Sequence, residues 1–557
     1  MQQHILRIAL CITAVCFFAG CSKDFLDRGA LDAIPNDEFW KTEGQLRLAV
    51  NACYDYLKGK NVVDMENMGD NTVYPPMTDY LAISTGNFDF TLGTVNTEWV
   101  NQYKGIRRCN HFLENYQKAT GIQQAKMNQY AGEVRFLRAF LYSYLSFFYG
   151  DIPLVTNTLN IGDDIVYGPR TPRTQVVDFI LQQLDSAATE LPATYAAADL
   201  GRITKGAALG WKSRVALFYG RYDVAEAAAK AVMDLNVYQL YTAGGTNSYN
   251  ELFTQKGKLS AGANKETILA RLYLIDVSMH NMSRECQVPD QTSRFCPTKS
   301  LVDAYLCADG MPIERSPLYN EGAQQAYGDV FKNRDPRMPQ TILAPGGSWG
   351  GKDDGDQDAN PSDIFNLPKF NSDKKGCVTA TGYYFTKYVQ VSAVATYNKD
   401  PNDIHIMRLA EILLNYAEAR EMQGKLTQAD LDITINKLRD RVGMHHMIIA
   451  ELGAWGMDLR TEIRRERRVE LALEGQRYFD LLRWKQGSLL AADVKGMKKA
   501  FVPSYMQQYV ASVPVDANGY MIVNTGRRFV DPKNYLWPIP LTQFQRNAEL
   551  GQNQGWE

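Results

Sequence analysis

The chain has little cysteine, little histidine and no surplus of charge of either sign. Nine cysteines in 557 residues, none in a CxxC pair, exclude a zinc ribbon and a disulfide-dense scaffold. Of six histidines none sits in an HExxH helix, and the adjacent His445 and His446 cannot easily turn to one metal, which argues against a zinc enzyme. The 60 basic and 62 acidic side chains leave a net charge of −2. A dedicated nucleic-acid binder needs a basic surplus or face to neutralise phosphates, so that class is set aside. No uncharged apolar run reaches the length of a membrane-spanning helix. What is present is a 45% hydrophobic content, enough for a large core, and 31 Tyr against 23 Phe and 8 Trp. Tyr suits half-wet surfaces, where a ring packs and a hydroxyl bonds. The length alone suggests three or four units at roughly 150 residues each, a prior that a single helical assembly evades.

The one long apolar run without charge, Ile8 to Gly20, follows Arg7 and has the length of a signal-peptide core. It ends Phe18-Ala19-Gly20-Cys21, which resembles the lipobox of bacterial lipoproteins, with Phe18 where an aliphatic is usual. The resemblance implies that residues 1–20 are removed and that Cys21 becomes the lipidated first residue. Its acyl chains, at about 0.8 kcal/mol per buried methylene, then hold the body to a membrane. An ordinary cleaved signal is the alternative. Six cysteines remain in the mature body, and Cys286 and Cys296 are close enough in sequence to bridge a loop. Buried free thiols are the other reading.

Helical periodicity dominates most of the remainder. From Lys205 to Leu235, apolar residues three and four apart (Leu209, Trp211, Ala216, Leu217) precede a Gly220 turn and resume at Ala225, Ala228, Ala229 and Val232. This resembles a tetratricopeptide helix pair. Ile412 to Leu438 repeats the grammar around Gly424, with Ala429, Ile433 and Leu438 on the second helix. The fold class expected is mostly α. A helical framework over about 37–240 and 404–486 brackets a loop-rich insertion at about 241–403, and residues 487–557 close the body. A second irregular stretch, Gly59 to Asn96, carries Tyr74, Tyr80, Phe88 and Phe90.

The Gly-rich segment after Ala344 imitates two enzyme motifs. Gly346-Gly347-Ser348-Trp349-Gly350 fits G-x-S-x-G, but the breakers after Gly351 leave no helix to follow the serine. Gly346 to Lys352 fits a phosphate loop until Asp353 replaces the required hydroxyl. Asp354, Asp356 and Asp358 alternate as calcium ligands do, though without the Gly and Glu of an EF-hand. Calcium is thus the single cofactor kept in view, and a solvated acidic loop is the alternative. The basic run Arg464 to Arg468 is interleaved with Glu462, Glu466, Glu470 and Glu474 at helical spacing, which reads as a helix flanked by ion pairs.

Three segments combine into a larger resemblance. They are GEVRFLRAF at Gly132 to Phe140, running on to FYGDIPLV at Phe148 to Val155; RRERRVELALEGQRYFDLLRWK at Arg464 to Lys485; and LWPIP at Leu536 to Pro540, followed by Asn547 and Gln552-Asn553. With the lipobox, they resemble the SusD/RagB family of outer-membrane nutrient-binding lipoproteins, across essentially the whole mature chain. The resemblance implies tetratricopeptide-like helix pairs and a loop-rich ligand region, on the cell surface over a SusC-like TonB-dependent transporter. It also implies capture of an oligosaccharide, or in some branches a peptide, without bond cleavage. A helical-repeat scaffold that binds only proteins is the reading from another class. Arg135, Arg138, Glu470, Arg477 and Trp537 are assigned to buried pairing and packing.

The ligand site is then sought from chemistry. Sugars offer flat C–H faces beside hydroxyls, so an aromatic platform with polar neighbours is expected. Asn87, Phe88, Asp89 and Phe90 offer that combination, and Trp349 stands among glycines that look too thin to bury it. Tyr74, Tyr383 and Tyr384 complete the candidates.

Overall fold

The computed structural model describes residues 39–160, 162–289, 291–351, 364–370 and 376–557. The molecule is mostly α-helical, with three two-stranded antiparallel sheets. Its principal helices are α1 (Glu43–Tyr54), α2 (Gly93–Asn115), α3 (Gln124–Tyr149), α4 (Arg173–Glu190), α5 (Lys205–Phe218), α6 (Tyr222–Asp234), α7 (Lys299–Ala304), α8 (Leu409–Met422), α9 (Gln428–Asp432), α10 (Ile435–Asp440), α11 (Leu459–Glu470) and α12 (Arg477–Arg483). The strands are β1 (Thr72–Val73), β2 (Thr267–Arg271), β3 (Cys296–Pro297), β4 (Ile404–Arg408), β5 (Val494–Lys498) and β6 (Tyr520–Asn524), paired β1 with β3, β2 with β4 and β5 with β6. Among the described residues no helix is long and apolar enough to cross a membrane.

Local chemistry sets the helix starts. Thr42 caps α1 in a reciprocal box with Gln45, Thr204 caps α5 and Asp458 caps α11, each side chain accepting from an otherwise unpaired backbone N–H. α3 is the central element, buried almost all round from Tyr130 to Tyr149 and packed against α2 and α4. It ends at Gly150, whose positive φ of 75° and close approach to Leu536 leave no room for a side chain.

The α5–α6 pair forms as the spacing predicts, with Ala225, Ala228, Ala229 and Val232 buried, and α6 packs on α5 and α8. The second pair differs. Where the pattern suggested one helix after Gly424, the chain forms α9 and α10 with a break at Ile433-Thr434, and Ile433 is exposed. The Thr434 hydroxyl explains part of this, because it donates back to the Leu431 and Asp430 carbonyls and so competes with the helical pattern.

The three sequence segments that carry the family resemblance meet at one place. Phe148 stacks on Trp537 at 3.9 Å, the Trp537 backbone N–H donates to the Phe148 carbonyl at 2.6 Å, and its indole N–H donates to the Tyr478 hydroxyl at 3.1 Å. Asn553 closes the joint by donating to the carbonyls of Tyr149 and Trp537. Tyr142, Tyr144, Tyr149 and Tyr478 are all buried in the helical core, so most of the tyrosine excess is packing material.

A second hydrophobic cluster fills the loop-rich part, and it shares Val469, Ala472 and Leu473 with the end of α11. Beside it runs a buried network of five cations, Arg337, Lys387, Arg408, Arg439 and Arg441, and five carboxylates, Glu266, Asp335, Glu466, Glu470 and Glu474. The flanking pairs along α11 are buried at Glu466 and Glu470, because α11 is covered on the side that the loop-rich part occupies. Burial pushes the Glu474 carboxyl up, but the charges of Arg408 and Lys387 outweigh it and hold the group at about 2. Glu470 is likewise held well below the ordinary carboxylate range, the pull of Arg441, Arg408 and Arg337 overcoming burial.

A carboxylate with a depressed folded pKa contributes stability above its unfolded value, about 4.3, and loses it as pH falls toward the folded value. Urea midpoints should therefore hold down to about pH 5 and fall between there and about pH 2, and Glu474→Gln should flatten that fall. A Glu474→Gln profile parallel to the wild type would contradict the network's part in it.

Candidate functional site

The two irregular regions of the sequence meet at the short β1–β3 ladder, where Thr72 pairs with Pro297 and Val73 with Cys296. Residues flanking that ladder are brought face to face. The Arg294 guanidinium lies 5.4 Å from the Tyr74 ring centroid and donates through Nη1 to the Tyr74 hydroxyl at 2.9 Å. Its Nη2 donates to Gln291 Oε1 at 3.3 Å, while Asn67 Nδ2 donates to the Arg294 carbonyl at 3.3 Å. Tyr74 and Arg294 are half-buried and Gln291 is exposed, so an aromatic residue and planar polar groups lie together at the surface.

The surface continues through a backbone relay. Ser293 N–H donates to the Val378 carbonyl, Val378 N–H to the Gln291 carbonyl, and Thr379 N–H to the Lys369 carbonyl, at 2.8–3.0 Å. Ala380 N–H reaches Cys296 Sγ. Behind the relay, Val73, Leu81, Cys296 and Val494 form a small apolar cluster with Ala380 and Val523 packed on it. Ala380 and Val523 also line a cavity of about 350 Å3 together with Phe370, Thr379, Tyr509 and Val510. Tyr509 is 46% exposed and Tyr505, one turn earlier, 66% exposed. The segment around residues 378–380 thus ties the Tyr74, Arg294 and Gln291 group to the cavity of Phe370 and Tyr509.

The other sequence candidates fall elsewhere. Trp349 is only 6% exposed, with its ring 4.8 Å from Tyr384 and 5.2 Å from Phe365. The expectation that thin glycines leave it open is corrected: with no side chain, the Gly351 backbone lies directly against the indole. Tyr383 and Tyr384 are core residues at 1% and 0% exposure, the first against Tyr327 and the second donating to the Cys377 carbonyl at 2.7 Å. Burial pushes the Tyr384 phenol well above its ordinary pKa. None of the three offers a ring face to a ligand.

Asn87 is exposed, but its neighbours turn to the C-terminal segment. Phe88 packs on Trp556 at 4.9 Å, the Phe90 carbonyl accepts from Leu541, and Asp89 is occupied by Thr91. Cys21, Asp354, Asp356 and Asp358 lie outside the described residues. Among the described residues no cluster of three or more His, Cys, Asp or Glu could hold a metal. Cys286 and Cys296 are both buried free thiols.

Arg294, Gln291, Phe370 and Tyr509 were not foreseen. The first two sit in the stretch Gln291 to Phe295, which has no periodicity to attract notice. Tyr505 and Tyr509, four residues apart amid Ser, Met and Gln, are the one signal that could have been read.

Comparison with known proteins bears directly on this architecture. Residues 265–556 match the family model described as the SusD family, and residues 25–217 match one described as starch-binding associating with outer membrane. A SusD-like protein of Formosa agariphila is 23% identical, over 99% of each chain. A crystal structure of a SusD-like protein from Bacteroides fragilis is 27% identical with a TM-score of 0.75, covering 95% of this chain and 100% of that one. A SusD-like carbohydrate binding protein from the same organism is 25% identical with a TM-score of 0.77, over 92% and 99% of the two chains. A family model matching more than half of the residues, joined to a fold shared over nearly the full length, shows that the chain belongs to the SusD family.

Proposed function

We propose that the protein binds carbohydrate on the shelf formed by Tyr74, Arg294, Gln291, Phe370 and Tyr509. The observation that carries this is the half-exposed Tyr74 ring held beside the Arg294 and Gln291 side chains. A pyranose presents an apolar C–H face to such a ring and hydroxyls to such donors and acceptors. The naming of a solved relative as a carbohydrate binding protein supports the same reading. In this account residues 1–20 are a signal, Cys21 carries the lipid, and the body faces the exterior of the outer membrane. There it captures oligosaccharides for a SusC-like TonB-dependent transporter and breaks no bond itself.

Glycan and peptide arrays probed with the full-length protein in detergent test the reading. Binding to one glycan class is expected. Tyr74→Ala and Arg294→Gln should each weaken it roughly three- to tenfold with unchanged thermal unfolding. Silence on every glycan with capture of peptides would overturn the carbohydrate assignment, and sugar release by pure protein would overturn the binding-only role.

A further inference from the structure

A cavity of about 610 Å3 lies away from that shelf. It is formed by the turn between α5 and α6, the end of α12 and the segment around Lys533, which follows from the meeting of the three sequence segments at Trp537. Its volume falls within the range of occupied ligand pockets. Phe147, Phe218, Tyr219 and Tyr535 give it an aromatic floor, and Arg173, Lys485 and Lys533 stand on its rim.

None of the three cations has an ion-pair partner among the described residues, whereas the neighbouring Arg483 and Arg214 do. Each instead sits over a ring: Arg173 at 5.9 Å from Tyr219, Lys485 at 4.0 Å from Tyr535 and Lys533 at 4.1 Å from Trp556. Arg483, the other lining cation, is consumed by Glu418 and Asp480. Asp531 is the one carboxylate among the lining residues. The rim therefore carries three cations against the one lining carboxylate, with Asp151 beside the Arg173 backbone and Asp89 the acidic group that feels Lys533.

Lys485 adds a second, independent observation. Its φ of 57° is left-handed, and Gln486 N–H closes back on the Leu481 carbonyl at 2.8 Å. This is the helix ending at which glycine is usual, and a side chain with a Cβ is disfavoured there. A lysine nonetheless occupies the position, with its ammonium 4.0 Å from the Tyr535 ring centroid.

The geometry points to a docking site for an acidic, aromatic-containing extended segment of a protein partner. Carboxylates would meet the Arg173, Lys485 and Lys533 rim, and apolar side chains would cover the floor that a bare anion or a sugar acid leaves open. Charge complementarity of this kind sets partner choice and makes association salt-dependent.

The test uses full-length protein in detergent and fluorescent octapeptides alternating Glu with Phe or Leu, alongside the same sequences with Gln for Glu. Polarisation should show binding of the acidic peptides only, weakened by 0.5 M salt. The double variant Lys485→Gly, Lys533→Gln should weaken it about tenfold. Lys485→Gly suits the backbone there, so the variant should fold, and its glycan binding at the Tyr74 shelf should be unchanged. Equal affinity for acidic and Gln peptides, an unchanged constant in the double variant, absence of any peptide binding, or stronger capture of phosphorylated lipid vesicles than of the acidic peptides would each overturn the assignment.

Discussion

Replacement of Glu470 by alanine is expected to lower global stability by about 3–5 kcal/mol, the cost of leaving one buried positive charge uncompensated. Its two oxygens serve three guanidiniums, with Arg408 at 2.7 Å, Arg441 at 2.5 Å and Arg337 at 3.0 Å. All four side chains are at most 1% exposed. The truncated site would set five buried cations against four carboxylates, because Arg337 keeps Asp335 and Glu466, Arg408 keeps Glu266 and Glu474, and Arg441 keeps Glu266. Arg337 comes from the loop-rich part, Arg408 ends β4, and Arg441 follows α10, so the carboxylate pins the loop-rich part to the helical framework. Denaturant titration should show a lower midpoint for Glu470→Ala and an early loss of the loop-rich part. Asp178→Ala, which removes the exposed Arg221 pair, should shift stability by no more than about 0.5 kcal/mol. Equal effects from the two variants would contradict a structural role for the network.

Trp349→Ala should also cost about 3–5 kcal/mol, the usual price of emptying an indole site in a core. The indole is enclosed by Tyr384, Phe365 and Gly351, and the Gly350 N–H beside it donates to Gln287 at 2.9 Å. The surrounding rings are too large to collapse into the gap. The variant should melt earlier while its folded fraction keeps the wild-type affinity for carbohydrate. Tyr74→Ala should do the reverse, losing affinity with melting unchanged. A Trp349→Ala protein of normal stability and lost affinity would return the indole to the ligand site.

These two residues mark what the sequence discloses. Helices with strong apolar periodicity, α5 and α6 above all, were legible because one buried stripe repeats every three or four residues. So was the structural character of the Arg464 to Arg468 run, since interleaved glutamates neutralise it. Buried pairing of Glu470 was legible, but its partners were not, because residues such as Arg337 and Lys387 lie far away in sequence on loops without period. The same limit hid the site. Tyr74 was a candidate on composition, but Arg294 joins it only through the two-residue β1–β3 ladder, which propensity cannot predict. Trp349 was misjudged for a related reason: a glycine-rich loop suggests exposure, whereas the missing side chains let backbone close over a ring.

The central claim is the place where carbohydrate sits. A crystal structure with the best oligosaccharide from the array tests it most directly. The account predicts a sugar ring stacked on Tyr74, with hydroxyls within hydrogen-bonding distance of Arg294 and Gln291 and the chain running toward Phe370 and Tyr509. Sugar seated on the Asn87 to Phe90 segment, or in the groove of Lys485 and Lys533, would contradict it.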